Sequence, residues 1–163
     1  MTTVRAIVAL ASTLVLVGST TVCADATVFL GANTTPEARR VQGVAIGAGL
    51  LLFAFEFEYA NTPKSDDPPG RAPSLKTGMA NALLQAPFAI FRFQPYVTAG
   101  AGFYREKLGT HQQTSVAPNV GGGVKVSLIG PLRLRLDYRV FKLGDGALYS
   151  PAHRLYAGLN LKF

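Results

Sequence analysis

Two serine–histidine pairs are the side chains in this chain that could support nucleophilic catalysis. The sequence has two histidines, and each has a serine close by: Ser115 lies four residues after His111, and Ser150 lies three residues before His153. A serine becomes a nucleophile when a histidine within hydrogen-bonding distance takes its proton, and an acidic group holds that histidine in place. Both histidines fall in polar segments that are typical of loops. We therefore expect ordinary polar residues here and no catalytic residue.

The residue patterns that would indicate a metal, phosphate or dinucleotide site are absent from the sequence. Neither histidine has a second one at metal-ligand spacing, so we expect no metal site. No phosphate-binding loop or dinucleotide fingerprint is present, and the run Gly121-Gly-Gly123 lies inside a strand pattern. The sequence therefore predicts no cofactor.

The first 24 residues have the build of a secretory signal peptide. A single charge, Arg5, precedes an apolar run that is too short to span a membrane, and small residues follow it. Cleavage is expected after Ala24 or Ala26, which leaves residues 25–163 as one domain. A cut after Ala24 would remove Cys23, the sole cysteine, and with it any disulfide or thiol chemistry. The net charge of +7 comes from cations spread along the chain, and a secreted protein meets anionic lipid more readily than nucleic acid.

The remaining sequence alternates between apolar and polar residues, which is the period of a β-strand. Residues 132–140 place leucine, tyrosine and valine on one face and Arg133, Arg135, Asp137 and Arg139 on the other. Eight segments read as strands of the length that a tilted membrane-spanning strand requires. They are Thr27–Asn33, Val41–Gly49, Leu51–Asn61, Leu75–Leu84, Pro95–Lys107, Pro118–Leu128, Leu132–Leu143 and His153–Phe163.

The predicted connections alternate between short and long. Tight turns join strands two to three and six to seven, whereas residues 61–73, 108–117 and 144–152 form longer polar links. Short turns at one end and long loops at the other are typical of a transmembrane β-barrel. The segment Gln85–Gln94 departs from this rule because it is long and aromatic. Its phenylalanines either extend the strands or belong to an aromatic girdle, and the sequence leaves both open.

The facing of the side chains separates a barrel from a soluble sheet. Bulky apolar faces recur on most strands, although strands one and four alternate poorly. If these apolar faces all pointed inward, their side chains would overfill the interior of an eight-stranded barrel. We therefore expect them to face lipid and the charges to face the lumen, where each charge needs a partner. In a soluble sheet the same charges would form a solvated face. The predicted lumen network comprises Glu56, Glu58, Glu106, Lys125, Arg133, Arg135, Asp137, Arg139 and Arg154.

Four segments resemble small OmpA-like and OmpX-like outer-membrane β-barrels of the opacity-protein type. They are Pro95–Gly102, with its Pro-Tyr start and two glycines, the glycine-rich Asn119–Val126, Leu134–Arg139, with Asp-Tyr-Arg, and the closing segment Leu155–Phe163. The resemblance implies an eight-stranded antiparallel up-and-down transmembrane β-barrel in the bacterial outer membrane, without a peptidoglycan-binding domain. In that family the last strand is read by the barrel-assembly machinery, and the residues here that match the signal are Tyr156, Gly158, Leu161 and Phe163.

The expected function is that of a non-enzymatic barrel that contributes to envelope structure and meets the surroundings through its loops. A small porin-like channel and, less favoured, a lipid A-modifying enzyme are the alternatives; the deacylase run His-x-Ser-Asn is absent. Expected partners are outer-membrane lipids, lipopolysaccharide, and the assembly machinery with periplasmic chaperones, but no nucleic acid. Cations near the outer strand ends, including Arg71, Lys76, Arg105 and Lys107, either bind lipopolysaccharide phosphates or are ordinary solvated loop charges, and the sequence leaves both open.

Overall fold

The chain forms one closed antiparallel barrel in which each strand pairs with its neighbours in sequence and β8 closes on β1. The computed structural model describes residues 22–65 and 72–163. The predicted signal peptide lies almost wholly outside these residues and stays a prediction, as does the domain boundary. The strands are β1 Cys23–Asn33, β2 Arg39–Leu50, β3 Phe53–Thr62, β4 Ser74–Gln85, β5 Phe93–Leu108, β6 His111–Ile129, β7 Leu132–Phe141 and β8 Ala152–Lys162. The predicted fold class, an eight-stranded up-and-down barrel, is confirmed.

The two ends of the barrel differ in their connections. At one end two-residue turns join β2 to β3 and β6 to β7, and the start of β1 meets the end of β8, because Ala24 and Phe163 exchange backbone hydrogen bonds of 2.9 Å. At the other end the links 63–73 and 142–151 are long. Short turns mark the periplasmic end of an outer-membrane barrel, so the long links mark the outer end.

One predicted outer loop is wrong. Residues 108–117 were expected to form a polar link, but β5 and β6 continue to Leu108 and His111 and meet at a two-residue turn in which Gly109 has a φ of +60°. Glycine allows this left-handed conformation without steric cost, so the turn can be tight. The polar stretch therefore forms the end of the β5–β6 hairpin, which extends beyond the last pair with β7, Asn119 with Phe141, while β4 stays paired with β5 up to Lys107.

The aromatic segment contains a small hairpin of its own. Ile90 and Phe93 exchange backbone hydrogen bonds of 2.8 and 2.9 Å around Phe91 and Arg92. Phe91 at its tip is 90% exposed, and Phe93 starts β5 with its side chain outward. The Arg92 side chain donates to the carbonyls of Ser127 and Leu128 and fixes the hairpin against β6. The segment therefore presents aromatic side chains at the periplasmic end of the barrel, where an interfacial girdle lies.

The outer surface of the barrel is apolar. On β3, for example, Phe53, Phe55, Phe57 and Tyr59 are 50–68% exposed, while the residues between them are buried in the lumen. A continuous exposed apolar surface of this kind is unstable in water and suits the hydrocarbon of a bilayer. Among the residues that the structure describes, there is no helix of the length and hydropathy needed to cross a membrane.

On β4 the larger apolar side chains face the lumen, which is the reverse of the arrangement on β3. Its bulky residues Leu75, Met79 and Leu83 point into the lumen and are 2–3% exposed, whereas Gly78, Ala80 and Ala82 face outward. β1 follows the ordinary pattern, with Thr27 and Phe29 inward and Val28 and Leu30 outward. The poor alternation of β4 in the sequence thus reflects large apolar residues inside and small ones outside.

Candidate functional site

A cluster of three carboxylates and three guanidinium groups fills the middle of the lumen. Glu56 accepts hydrogen bonds from both terminal nitrogens of Arg135 and from Arg139 Nη2 at 2.8 Å. Asp137 accepts from Arg135 Nη2 at 3.0 Å and from Arg139 Nε at 2.9 Å. These side chains are at most 3% exposed, so the pairing occurs away from bulk solvent.

Glu58 joins the cluster to β8. Arg154, which is fully buried, donates from Nη1 to Glu58 at 2.9 Å and from Nη2 to the Thr77 hydroxyl at 3.0 Å, and its guanidinium lies 4.4 Å from the Phe141 ring centre. Arg139 Nη1 lies 3.1 Å from the second oxygen of Glu58. Each cation therefore has a carboxylate within ion-pair distance, which is the condition for placing charges in a low-dielectric interior.

Tyrosines and glycines complete the packing around the charges. The Tyr96 hydroxyl donates to Asp137 and accepts from Arg135 Nε at 2.7 Å, while Tyr156 stacks on Phe29 with ring centres 4.0 Å apart. Gly123 faces Tyr96 so closely that a Cβ there would lie 2.6 Å from the hydroxyl. The glycine face of β6 therefore makes room for long side chains that cross the lumen.

An apolar layer lies on the outer side of the ion cluster. Its members come from β4 to β8 and the link before β8: Leu75, Met79, Tyr104, Ala117, Phe141, Leu143 and Ala152. Above them Glu106, 2% exposed, accepts a hydrogen bond of 2.9 Å from the Leu148 amide, which holds link 142–151 over the barrel mouth. The lumen is thus occupied by charged groups in its middle and by side-chain carbon near its outer end.

The periplasmic end is more open. A cavity of about 280 Å³ opens there, and its lining includes Asp25, Gln94, Lys125 and Arg133. Lys125 pairs with Asp25 at 2.6 Å, and Arg133 donates to the neutral Gln94 at 3.0 Å. Asp25 was not expected to take part, because it stands beside the predicted cleavage sites and no strand pattern covered it.

Positive side chains gather at the outer rim. Lys76, Arg105 and Lys107 point outward from β4 and β5, and Arg105 Nε donates to the Thr114 hydroxyl at 3.4 Å. Arg71, the fourth predicted cation, lies outside the described residues.

Sequence reasoning missed the role of Arg39, which is buried and donates to the carbonyls of Thr35, Pro63 and Pro73. It therefore joins link 34–38 to link 63–73.

The structure does not bring the serine–histidine pairs together. Ser150 Oγ donates to the Leu143 carbonyl at 3.0 Å, and His153 Nδ1 lies 2.7 Å from the Tyr138 hydroxyl. His111 and Ser115 are four residues apart on β6, which is about 13 Å in an extended strand. No group of three potential metal ligands occurs among the described residues.

The closing strand alternates as the sequence predicts. Tyr156 and Asn160 point into the lumen and are at most 1% exposed, whereas Leu161 and Phe163 face outward and are 46% and 71% exposed. Gly158 sits against β1, where a Cβ would lie 2.9 Å from the Phe29 side chain. The residues that resemble an assembly signal therefore fall on both faces of the seam between β1 and β8.

A closed eight-stranded barrel with an apolar outside and a charged lumen is the fold of the small integral proteins of the bacterial outer membrane. No protein-family description matches the chain, and no curated protein sequence matches it. Several solved structures, however, have a similar fold. The N-terminal β-barrel domain of Pseudomonas aeruginosa OprF is similar over 86% of this chain and 97% of its own, with 14% identity and a TM-score of 0.65. Neisserial surface protein A is similar over 87% and 96%, with 22% identity and a TM-score of 0.63.

The same fold also carries enzymes. The outer membrane enzyme PagL is similar over 84% of this chain and 98% of its own, with 11% identity and a TM-score of 0.52. At these identities the likeness shows the fold alone, a closed eight-stranded barrel whose apolar belt suits a membrane, and the specific role has to be argued from the residues themselves.

Proposed function

We propose that this chain is a non-enzymatic outer-membrane barrel that supports envelope structure and contacts lipopolysaccharide and the surroundings through its outer rim and loops. The observation that carries the proposal is the filling of the lumen. A sealed interior leaves the outer surface, the rim cations and the loops as the parts that can meet other molecules.

The channel alternative fits the lumen poorly. An ion or solute entering from the periplasmic cavity would meet the paired cluster around Arg135 and then the apolar layer around Phe141. Passage would require separating buried ion pairs, each of which is costly to break. We expect planar bilayers with the purified barrel to show no stable openings. Steady, large conductance steps would refute the proposal.

The enzyme alternative lacks an assembled nucleophile. Ser150 bonds to a carbonyl and His153 to a tyrosine, so neither is placed for proton transfer to the other. Mass spectrometry of lipid A from cells with and without the protein tests this directly. We expect identical acyl patterns. A changed pattern that His153→Ala abolishes would establish the enzyme instead.

The assembly partners follow from the closing strand. We propose that the barrel-assembly machinery, with periplasmic chaperones before it, reads the outward residues Leu161 and Phe163 together with Tyr156 and Gly158. Heat-modifiable gel migration of an outer-membrane fraction provides the readout: the folded barrel migrates differently before and after boiling. Recovery as a soluble periplasmic protein with one migration would contradict the proposal.

A further inference from the structure

The outer face of β3 to β5 holds an apolar groove that begins directly below the rim cations. Tyr59, Gly78 and Phe103 are successive cross-strand partners, so a glycine lies between two exposed aromatic rings. One row further from the rim, Ala80 pairs with Phe57 on one side and with Ala101 on the other. The result is a slot with an aromatic wall on β3, a β5 wall that begins with Phe103 and continues as alanine, and a floor of small residues.

The dimensions of the groove suit a single acyl chain. Two adjoining depressions of about 530 and 310 Å³ share Phe57 and Ala80, and they run from Gly78 to Ala82 on β4. Four residues of strand span about 13 Å. Half of a hydrocarbon core about 30 Å thick is about 15 Å. Strands of such barrels are tilted by about 35–45°, so the groove covers about 10 Å of that depth, and its position next to the outer rim places it in the outer leaflet.

The small floor is not required for packing within the barrel. A Cβ placed on Gly78 would meet nothing within 4 Å, so a larger side chain at this position would project into open space. By contrast, Gly102 on β5, which faces the lumen, would bring a Cβ to 2.0 Å from the Gly78 carbonyl oxygen. The lumen glycine is enforced by contact with a neighbouring strand, whereas the groove glycine leaves room for something outside the protein.

The charges above the groove indicate what that occupant carries. Lys76 and Arg105 are direct cross-strand partners, and both point outward, with Lys107 two residues further on the same face. Like charges placed opposite each other on a sheet are destabilising. Within the part of the chain that the structure describes, none of the three forms an ion pair with a carboxylate. An anion bound between Lys76 and Arg105 would remove the repulsion, and a phosphate accepts charge-assisted hydrogen bonds from both types of side chain.

We propose that this face binds one lipid A unit of outer-leaflet lipopolysaccharide. A sugar phosphate lies between Lys76 and Arg105, and one acyl chain lies in the groove over Gly78 and Ala80. The inference rests on the proposed function, which places the rim cations against lipopolysaccharide, and adds a defined chain-binding groove to it. Neither feature would suffice alone, because the groove accepts any acyl chain and the cations accept any anion.

Native mass spectrometry of the folded, detergent-solubilised full chain, titrated with bisphosphorylated lipid A, tests the groove. Gly78→Leu places its Cβ in open space and fills the groove with side-chain carbon, so it should weaken binding about tenfold. The matched control is Ala157→Leu, which fills an apolar depression between β1, β7 and β8 that shares no lining residue with the groove, and it should leave binding unchanged. Heat-modifiable migration verifies that each variant is folded.

The cations are tested in the same titration. Lys76→Ser combined with Arg105→Ser should weaken binding by about tenfold or more and abolish the preference for phosphorylated over dephosphorylated lipid A. Lys142→Ser, which removes an exposed outer cation next to β7, is the control. If the cation variant loses binding but Gly78→Leu does not, the groove inference is wrong while the rim contact of the proposed function stands. If neither variant weakens binding, both the groove inference and the proposed rim contact with lipopolysaccharide are wrong. A lipid-free dimer that Gly78→Leu dissociates would assign the groove to a second copy and overturn the inference.

Discussion

Replacing Glu58 by glutamine tests whether the ion cluster is sealed from water. The carboxylate is the sole charged partner of Arg154 among the ion pairs of the described residues, and the Arg154 side chain is fully buried. Glutamine keeps the shape of glutamate and an oxygen that can accept a hydrogen bond, but it removes the charge, so Arg154 would keep the Thr77 hydroxyl and the face of Phe141 without a carboxylate. Removing one partner of a buried ion pair costs about 3–5 kcal/mol of folding free energy, because the other charge remains buried.

The loss is measurable by urea unfolding in detergent, with the heat-modifiable gel band as the readout of folded barrel. At a slope of about 2 kcal/mol per molar urea, a loss of 3–5 kcal/mol lowers the unfolding midpoint by about 1.5–2.5 M. The matched control is Arg133→Gln at the periplasmic mouth. Arg133 is half-buried and bonds to the neutral Gln94, so its loss should cost less than about 1 kcal/mol.

A double substitution separates charge imbalance from lost contacts. Glu58→Gln combined with Arg154→Gln removes one charge of each sign, so it should cost less than the sum of the two single substitutions. The reasoning is refuted if Glu58→Gln alone shifts the free energy of unfolding by under about 1 kcal/mol, since Arg154 must then be hydrated. It is refuted equally if the double substitution shows no coupling.

Three further predictions concern other parts of the molecule. Phe163→Ala should lower the amount of barrel recovered in the outer membrane while leaving the free energy of unfolding of the folded fraction within about 0.5 kcal/mol of that of the unsubstituted chain, because Phe163 is 71% exposed; a larger loss of unfolding free energy would assign it a packing role instead. The mature N-terminus determined by mass spectrometry should be Asp25, since a cut after Ala26 would remove the carboxylate partner of Lys125, which is 2% exposed; a mature chain that starts at residue 27 contradicts this. Arg39→Gln should accelerate trypsin cleavage after Lys64, because Arg39 holds the carbonyls on both sides of link 63–73; an unchanged rate would show that the link is held by other contacts.

Strand number, order and the facing of β3, β7 and β8 are predictable from the sequence because their alternation is strict. The sequence of β7 alternates its four charged residues with apolar ones, and the facing of each side chain follows from a period of two. On β4 a rule that places the bulkier apolar face toward lipid fails, because Leu75, Met79 and Leu83 point inward. The sequence shows which residues alternate, but whether the larger set faces lipid or lumen depends on the space left by β5 and β6, whose lumen faces are rich in glycine.

The pairing of the charges is less predictable than their presence. Charged residues at alternate positions predict a polar lumen, but Glu56 and Arg135 meet across 79 residues of sequence, and only the strand register brings them together. The contacts of Asp25 and Arg39 were not predictable from the sequence, for different reasons. Asp25 stands in the segment that resembles a cleavage site, and Arg39 has carbonyl partners on links that carry no periodic pattern.

The ion cluster has a mechanical consequence for the barrel as a whole. Its hydrogen bonds run across the lumen between non-adjacent strands, from β3 to β7 and β8 and from β8 to β4. A hollow cylinder under the lateral pressure of a bilayer can flatten at little cost, because its wall only has to bend. Here an oval cross-section would stretch or compress bonds that span the diameter, so the round shape is the one with all six charges paired. The cross-lumen hydrogen bonds therefore resist flattening of the barrel. The wall keeps a fixed curvature, and the groove on β3 to β5 keeps its shape toward the surrounding lipids.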